Sequence, residues 1–324
     1  MTSGNYLELS DREVLIIVGP TASGKSGLAL EIAGKHDGVI INADSQQIYK
    51  GLPILSAQPT EREMREIPHR LYNFLEQTEI CDAYRWRELA KQEIDDVMDQ
   101  GKLPVIVGGT GLYINALVDG LSPVPDISED VRREINDYVD AHGVRELFKW
   151  LQEKDPVMAE KLDPDNKRRV ARALEVVLET GRSLAEWQQL PKQGAPDHVT
   201  FSLIFMSIDR DILRQKCDMR FEQMINQGAM DEIKALNKKI ETGELDDLSP
   251  VTKAIGFRPF RDYLRGQLDW QEAMNKAKAQ TRQYAKRQRT WFRHQLPGNL
   301  KSVIEFNPDK DQEIQIKRTK TIKG

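Results

Sequence analysis

Short apolar runs alternate with helically spaced segments through the first third of the chain. Val14-Leu15-Ile16-Ile17-Val18 reads as a buried strand, and Leu28, Leu30, Ile32 and Ala33 after it mark a helix. Val39-Ile40-Ile41-Asn42-Ala43-Asp44 reads as a second strand, ending in an acid. Leu89, Ile94 and Val97 give Tyr84 to Met98 a helical face. Leu103 to Val107 forms a third strand, closed by Gly108-Gly109-Thr110-Gly111, and Leu112 to Val118 starts another helix. Apolar strands alternating with helices predict an α/β fold around a parallel sheet, whose ligands sit beyond the carboxyl ends of the strands.

The pattern changes at Leu121-Ser122-Pro123-Val124-Pro125-Asp126, a linker. Ser128 to about Gln189 is charged and helical throughout, and Pro191 and Pro196 break it. Phe201 to Ile208 returns as a strand, helices follow from Asp209 to Arg293, and a polar tail from Asn307 to Gly324 is expected to fray. The predicted architecture is therefore a parallel-sheet core (1–120 and 201–306) interrupted by a mostly helical insertion (121–200), with a helical C-terminal region.

The loop after the first strand adds chemistry. Gly19-Pro20-Thr21-Ala22-Ser23-Gly24-Lys25-Ser26 fits G-x-x-x-x-G-K-[ST] in its required strand–loop–helix context. Its backbone N–H groups would face a phosphate, Lys25 would add a point charge, and Ser26 a hydroxyl for Mg²⁺. The P-loop, Asp44 and Thr110 all fall at the same predicted sheet edge.

Charge refines the picture. The formal net charge is −4, which by itself argues against a polyanionic partner. Yet residues 275–293 hold seven Lys/Arg and no acid, and Arg282, Lys286, Arg289 and Arg293 share one helical face. Arg168, Arg169 and Arg172 form a second basic group in the insertion, and Lys253, Arg258 and Arg261 bracket Gly256-Phe257 as a third. Such concentrated clusters are consistent with nucleic acid held in a groove. No apolar run is long enough to span a bilayer, the first residues lack a signal-peptide core, and two distant cysteines make a disulfide framework or zinc site improbable. A cytoplasmic monomer is expected.

Together these segments resemble the bacterial-type transfer-RNA dimethylallyltransferases, or isopentenyltransferases. The resemblance is carried by GPTASGKS (19–26), DSQQIYKG (44–51), PHRL (68–71), VGGTGLY (107–113), RRVARALEV (168–176), MRFEQM (219–224), AIGFR (254–258) and TRQYAKRQRTWFR (281–293). It implies transfer of a dimethylallyl group from dimethylallyl diphosphate to N6 of the adenosine 3′ of the anticodon, with Mg²⁺ assisting and diphosphate leaving. The P-loop, Lys25 and Arg220 would hold the diphosphate, and Asp44 would be the general base with Thr110 beside it. Ser45, Gln46, Gln47, Arg132, Arg168, Arg169, Arg172, Lys253, Gly256, Arg258 and the face of Arg282, Lys286, Arg289 and Arg293 would contact the anticodon stem-loop. One loop departs from the family. Where Met-Asp-Ile-Gly-Thr-Ala-Lys-Pro is common, this chain has Leu52-Pro53-Ile54-Leu55-Ser56-Ala57-Gln58-Pro59, so a lysine is replaced by neutral Gln58. Three other readings share parts of the pattern. A P-loop small-molecule kinase would use the same loop and Asp44, a free-adenylate isopentenyltransferase would share the core motifs, and an RNA-binding protein could retain them without catalysis.

Overall fold

The computed structural model describes residues 6–311 and 313–319. The strands are β1 (Tyr6–Ser10), β2 (Glu13–Val18), β3 (Gly38–Asn42), β4 (His69–Arg70), β5 (Leu103–Gly108), β6 (Thr200–Met206), β7 (Ser302–Phe306) and β8 (Gln315–Thr319). Six of them form one sheet in the order β4-β3-β5-β2-β6-β7, and every neighbouring pair is parallel. β2, β3 and β5 are buried along their whole length, which is why they read as continuous apolar runs.

The helices of the first half are α1 (Lys25–Lys35), α2 (Glu61–Glu66), α3 (Ala83–Asp99) and α4 (Gly111–Val118). Asp82 caps α3 by accepting from the Arg85 N–H. Ala29, Ile32 and Ala33 of α1 pack on Leu15, Ile17, Ile40, Val105 and Val107 of the sheet. On α3, fully buried Trp86 donates from Nε1 to the Asn42 carbonyl at 2.8 Å and stacks on Tyr113 of α4, centroids 4.7 Å apart. The end of β3, two residues before Asp44, is thereby pinned.

Residues Asp119–Ala195 form a separate compact unit. It contains α5 (Glu129–His142), α6 (Val144–Lys154), α7 (Pro156–Ala159), α8 (Lys167–Thr180) and α9 (Leu184–Trp187). Ile135, Leu147, Leu151, Val170, Leu174 and Val176 make its own core. The expected insertion, 121–200, is shifted at both ends, because Thr200 already belongs to β6.

The first unit resumes at Pro196 with β6, followed by α10 (Arg210–Met224), α11 (Met230–Glu241), α12 (Phe257–Leu264) and α13 (Trp270–His294). Phe221, Phe257 and Phe260 centre their core. A π-helical turn, Ile225–Ala229, joins α10 to α11, with Gly228 at φ 106° absorbing the change of direction. The polar tail expected from Asn307 is corrected in part. β8 lies within it and pairs in parallel with β1, while Ile314 and Ile316 pack with Leu7 and Leu9. Alternate apolar residues supply enough burial for this short ribbon. Residues 320–324 of that tail lie outside the described residues.

Replacing Trp86 by Phe keeps an aromatic ring but leaves the buried Asn42 carbonyl without its donor. We expect a loss of about 1–3 kcal/mol, read by urea denaturation.

Candidate active site

In the sheet register, Val18 lies opposite Gly108 and Asn42 opposite Val107, so β2, β3 and β5 end together. The Ala43 N–H donates to the Val107 carbonyl at 2.8 Å, and the Thr110 N–H donates to the Ala43 carbonyl at 3.2 Å. The Ser45 N–H donates to Thr110 Oγ1 at 3.0 Å. The two backbones approach so closely that a Cβ on Gly108 would stand 2.1 Å from the Ala43 oxygen, which explains the first glycine of the Gly108-Gly109-Thr110 turn.

The P-loop leaves β2 at the same edge. Ala22 (φ 63°) and Gly24 (φ 86°) take left-handed conformations, and α1 begins at Lys25. Lys25 Nζ reaches the Pro20 carbonyl at 3.4 Å. Arg220, on α10, donates from Nη1 to Thr21 Oγ1 at 3.4 Å. The expected core of the site is therefore one cluster. Lys25, Ser26, Arg220 and Gln47 line a cavity of about 230 Å³ together with Ala57, Gln58, Pro59, Glu63, His69 and Tyr72.

This cluster is electrostatically poised for an anion. Lys25 keeps some contact with solvent at the cavity mouth, but protein surrounds its ammonium. Lost hydration, reinforced by repulsion from Arg220, lowers its pKa to about 8 against an opposing pull from Asp44. Burial lowers the pKa of Arg220 as well, with Asp44 and Cys217 opposing. Tyr72 and Tyr284 face the same carboxylate, and burial followed by its charge pushes both phenols upward. They remain hydrogen-bond donors at neutral pH. Asp44 itself accepts the Gln46 N–H on Oδ1 at 2.9 Å, while Asn42 Oδ1 accepts the Asp44 N–H at 2.9 Å, fixing the turn.

Gln288 emerges as a site residue only from the fold. Buried on α13, it accepts the Thr21 N–H on Oε1 at 2.8 Å and donates from Nε2 to the Gly109 carbonyl at 3.0 Å. One amide thus bridges the phosphate loop and the Thr110 turn, and Tyr284 lies one turn earlier on the same helix. Nothing in the sequence separates it from Gln280 and Gln283 on the same helix.

Several expected RNA contacts acquire other duties. Gln47 donates from Nε2 to the carbonyls of Ser56 and Ala57 at 3.0 and 2.7 Å, so its amide is committed to the neighbouring loop. Gly256 is buried, and a Cβ there would meet the Phe221 ring at 2.7 Å. Arg261 is a buried core residue that pairs with Asp247 and Asn237 rather than a member of a basic locus. Helix α13 is partly neutralised across space, since Lys278 pairs with Glu222 and Arg282 with Asp218 at 2.6 Å. Lys253, Arg258, Lys286 and Arg293 are exposed, and Arg289 is half-buried with no hydrogen-bond partner for Nε among the described residues. In the second unit, Arg168 and Arg169 are exposed on the first turn of α8, while Arg172 pairs with Glu175 and Arg132 with Glu129.

A P-loop, two desolvated cations and a carboxylate meet at the carboxyl edge of a parallel sheet, an arrangement suited to a phosphate-bearing ligand. The family model described as IPP transferase matches residues 47–295, and the chain belongs to that family. It is 43% identical over 305 residues to a tRNA dimethylallyltransferase of Zymomonas mobilis, covering 94% of this chain and 95% of the relative. A tRNA dimethylallyltransferase of Paramagnetospirillum magneticum is 46% identical over 286 residues, covering 88% and 89%. Among solved structures, a Bacillus halodurans tRNA isopentenylpyrophosphate transferase superposes with a TM-score of 0.62 at 34% identity, covering 91% of this chain and 90% of that one. A eukaryotic dimethylallyltransferase studied acting on tRNA gives a TM-score of 0.77 at 28% identity, covering 91% and 74%.

The Lys25 environment predicts a pH effect. The ammonium is present below about pH 8 and lost above it, while a bound polyanion holds the proton on. Affinity for inorganic diphosphate should therefore fall as pH rises through that value, as read by titration calorimetry. Lys25→Met should bind weakly throughout and lose the Lys25-dependent part of the fall.

Proposed function

We propose that this protein transfers the dimethylallyl group of dimethylallyl diphosphate to N6 of the adenosine 3′ of the anticodon in transfer RNA. The observation that carries the reading is Asp44, held at the end of β3 beside Thr110 and close enough to influence both Lys25 and Arg220. A base for the acceptor thus stands next to a cradle for the leaving group.

The allylic carbon–oxygen bond breaks and its electron pair leaves on diphosphate. Backbone N–H groups of Ala22 and of Gly24 to Ser26, with Lys25 and Arg220, stabilise that growing charge. The exocyclic amine forms the new carbon–nitrogen bond and gives its proton to the Asp44 carboxylate. Thr110 orients this end of the site through its backbone and hydroxyl bonds to Ala43 and Ser45. The buried phenols of Tyr72 and Tyr284 stay protonated, so they cannot compete with Asp44 for that proton.

Mg²⁺ fits the donor set in a particular way. The described residues contain no cluster of three His, Cys, Asp or Glu able to cage an ion. Ser26 is exposed on the first turn of α1, as suits a hydroxyl that shares an ion with the donor's phosphate oxygens. When bound there, Mg²⁺ would supply further charge neutralisation to the departing diphosphate.

The target adenine is stacked in an anticodon loop and must be turned out to reach Asp44. In this reading Ser45 and Gln46 would meet the entering nucleotide. Lys253, Arg258, Lys286 and Arg293 offer exposed charge to phosphates, as do Arg168 and Arg169 in the second unit. No helix among the described residues is long and apolar enough to cross a membrane. We read the protein as acting in the cytoplasm as a monomer.

Two measurements test this reading. With Mg²⁺ and labelled dimethylallyl diphosphate, label should enter an anticodon stem-loop carrying that adenosine and not free adenosine monophosphate; labelling of the mononucleotide alone would overturn the RNA assignment. Asp44→Ala should lower kcat about 10²–10⁴-fold while leaving donor affinity nearly unchanged. If donor binding is lost instead, Asp44 serves the phosphate and is not the base.

A further inference from the structure

The loop that departs from the family pattern, residues 52–59, is held from two sides. From inside the site, Gln47 clasps the Ser56 and Ala57 carbonyls, and Gln58 donates from Nε2 to the Tyr49 carbonyl at 2.8 Å. From the far side, the Glu232 carboxylate of α11 accepts the Ile54 N–H on Oε1 at 2.7 Å and the Leu55 N–H on Oε2 at 2.8 Å. Leu55 is buried with Phe221 and Phe257, so the backbone carrying it is tied down by both apolar packing and a charge-assisted pair of bonds. Ala57 then takes a left-handed conformation (φ 56°) and, with Gln58 and Pro59, walls the cavity that also contains Lys25 and Arg220.

We infer that Glu232 is a positioning residue for the prenyl donor, because its two backbone hydrogen bonds fix the loop whose Ala57, Gln58 and Pro59 wall the donor cavity. The inference rests on reading that cavity as the donor site. Glu232 does not itself line the cavity, and the hydrogen bonds it makes end on Ile54 and Leu55. Partial burial raises the pKa of Glu232, and the two backbone N–H donors oppose that shift. The π-helical turn and left-handed Gly228 lie just before it and direct α11 toward the loop. A Cβ on Gly228 would already be in contact with Ile54, 3.7 Å from its Cδ1. The neutral loop substitutes geometry for charge: where the family commonly has a lysine, this chain holds an amide aimed at its own backbone.

The test uses the full chain with Mg²⁺ and two probes, inorganic diphosphate and dimethylallyl diphosphate, each titrated by calorimetry. Glu232→Gln preserves shape but presents an amide N–H to one of the two backbone donors; Glu232→Ala removes both acceptors. Both variants should bind dimethylallyl diphosphate about tenfold more weakly while diphosphate affinity stays within about twofold, because the loop walls the chain and the P-loop holds the phosphates. Unchanged affinity for both probes overturns the inference, and so does an equal loss for both, which marks a general loosening of the fold. A wild-type protein that binds the two probes equally overturns the donor reading itself, and this inference with it.

Discussion

The contact between the ends of β3 and β5 is the constraint from which the rest of the site follows. The Ala43 carbonyl occupies the space where any side chain on residue 108 would begin, and in that space the Thr110 N–H finds its acceptor. The glycine is thus required by a backbone of the neighbouring strand, with no ligand involved. Asp44 and Thr110 are fixed relative to each other before any substrate arrives. Gln288 extends the same rigidity to the P-loop, so the Asp44–Thr110 end of the site and the P-loop belong to one hydrogen-bonded frame. Such preorganisation is what allows dipoles and charges to act on a transition state without first being rearranged.

The frame carries an electrostatic cost. Two cations share a poorly hydrated space, and Asp44 only partly compensates them. A dense anion relieves that repulsion and makes the cluster favourable. The free site is therefore the less comfortable state, and under the proposed function part of the affinity for diphosphate would come from removing this strain between like charges. The single carboxylate must serve both states. It tempers the cations in the empty site and, under the proposed function, would face the acceptor in the filled one.

The parts of this design encoded in contiguous residues are legible in the chain itself. The strand–loop–helix of the P-loop, the acid closing β3 and the Gly-Gly-Thr turn after β5 announce themselves because the local sequence dictates the local geometry. Arg220 has no such signature, and only the resemblance to a family singles it out. Gln288, Tyr72 and Glu232 are silent because what distinguishes them is a partner far away in the chain. The same reason misleads about charge. Helix α13 reads as an uncompensated basic stretch, yet Asp218 and Glu222 reach it from α10. Arg261 reads as an exposed cation, although Asn237 and Asp247 draw it into the core. β4, β7 and β8 escape notice since short strands at a sheet edge or in a ribbon need few apolar residues.

The bond from Thr21 to Gln288 spans 267 residues, and it bears on biosynthesis. β2, β3, β4 and β5 all lie within the first 118 residues, so a nascent chain could pair them early. The second cation and the amide clasp emerge from the ribosome much later, after an entire helical unit has been made. A partly synthesised chain therefore holds the phosphate loop without its clasp or its full charge. Under the proposed function, competence to bind a diphosphate would arrive only once Arg220 and Gln288 have been made, and contacts this distant in sequence are also among the slowest to form.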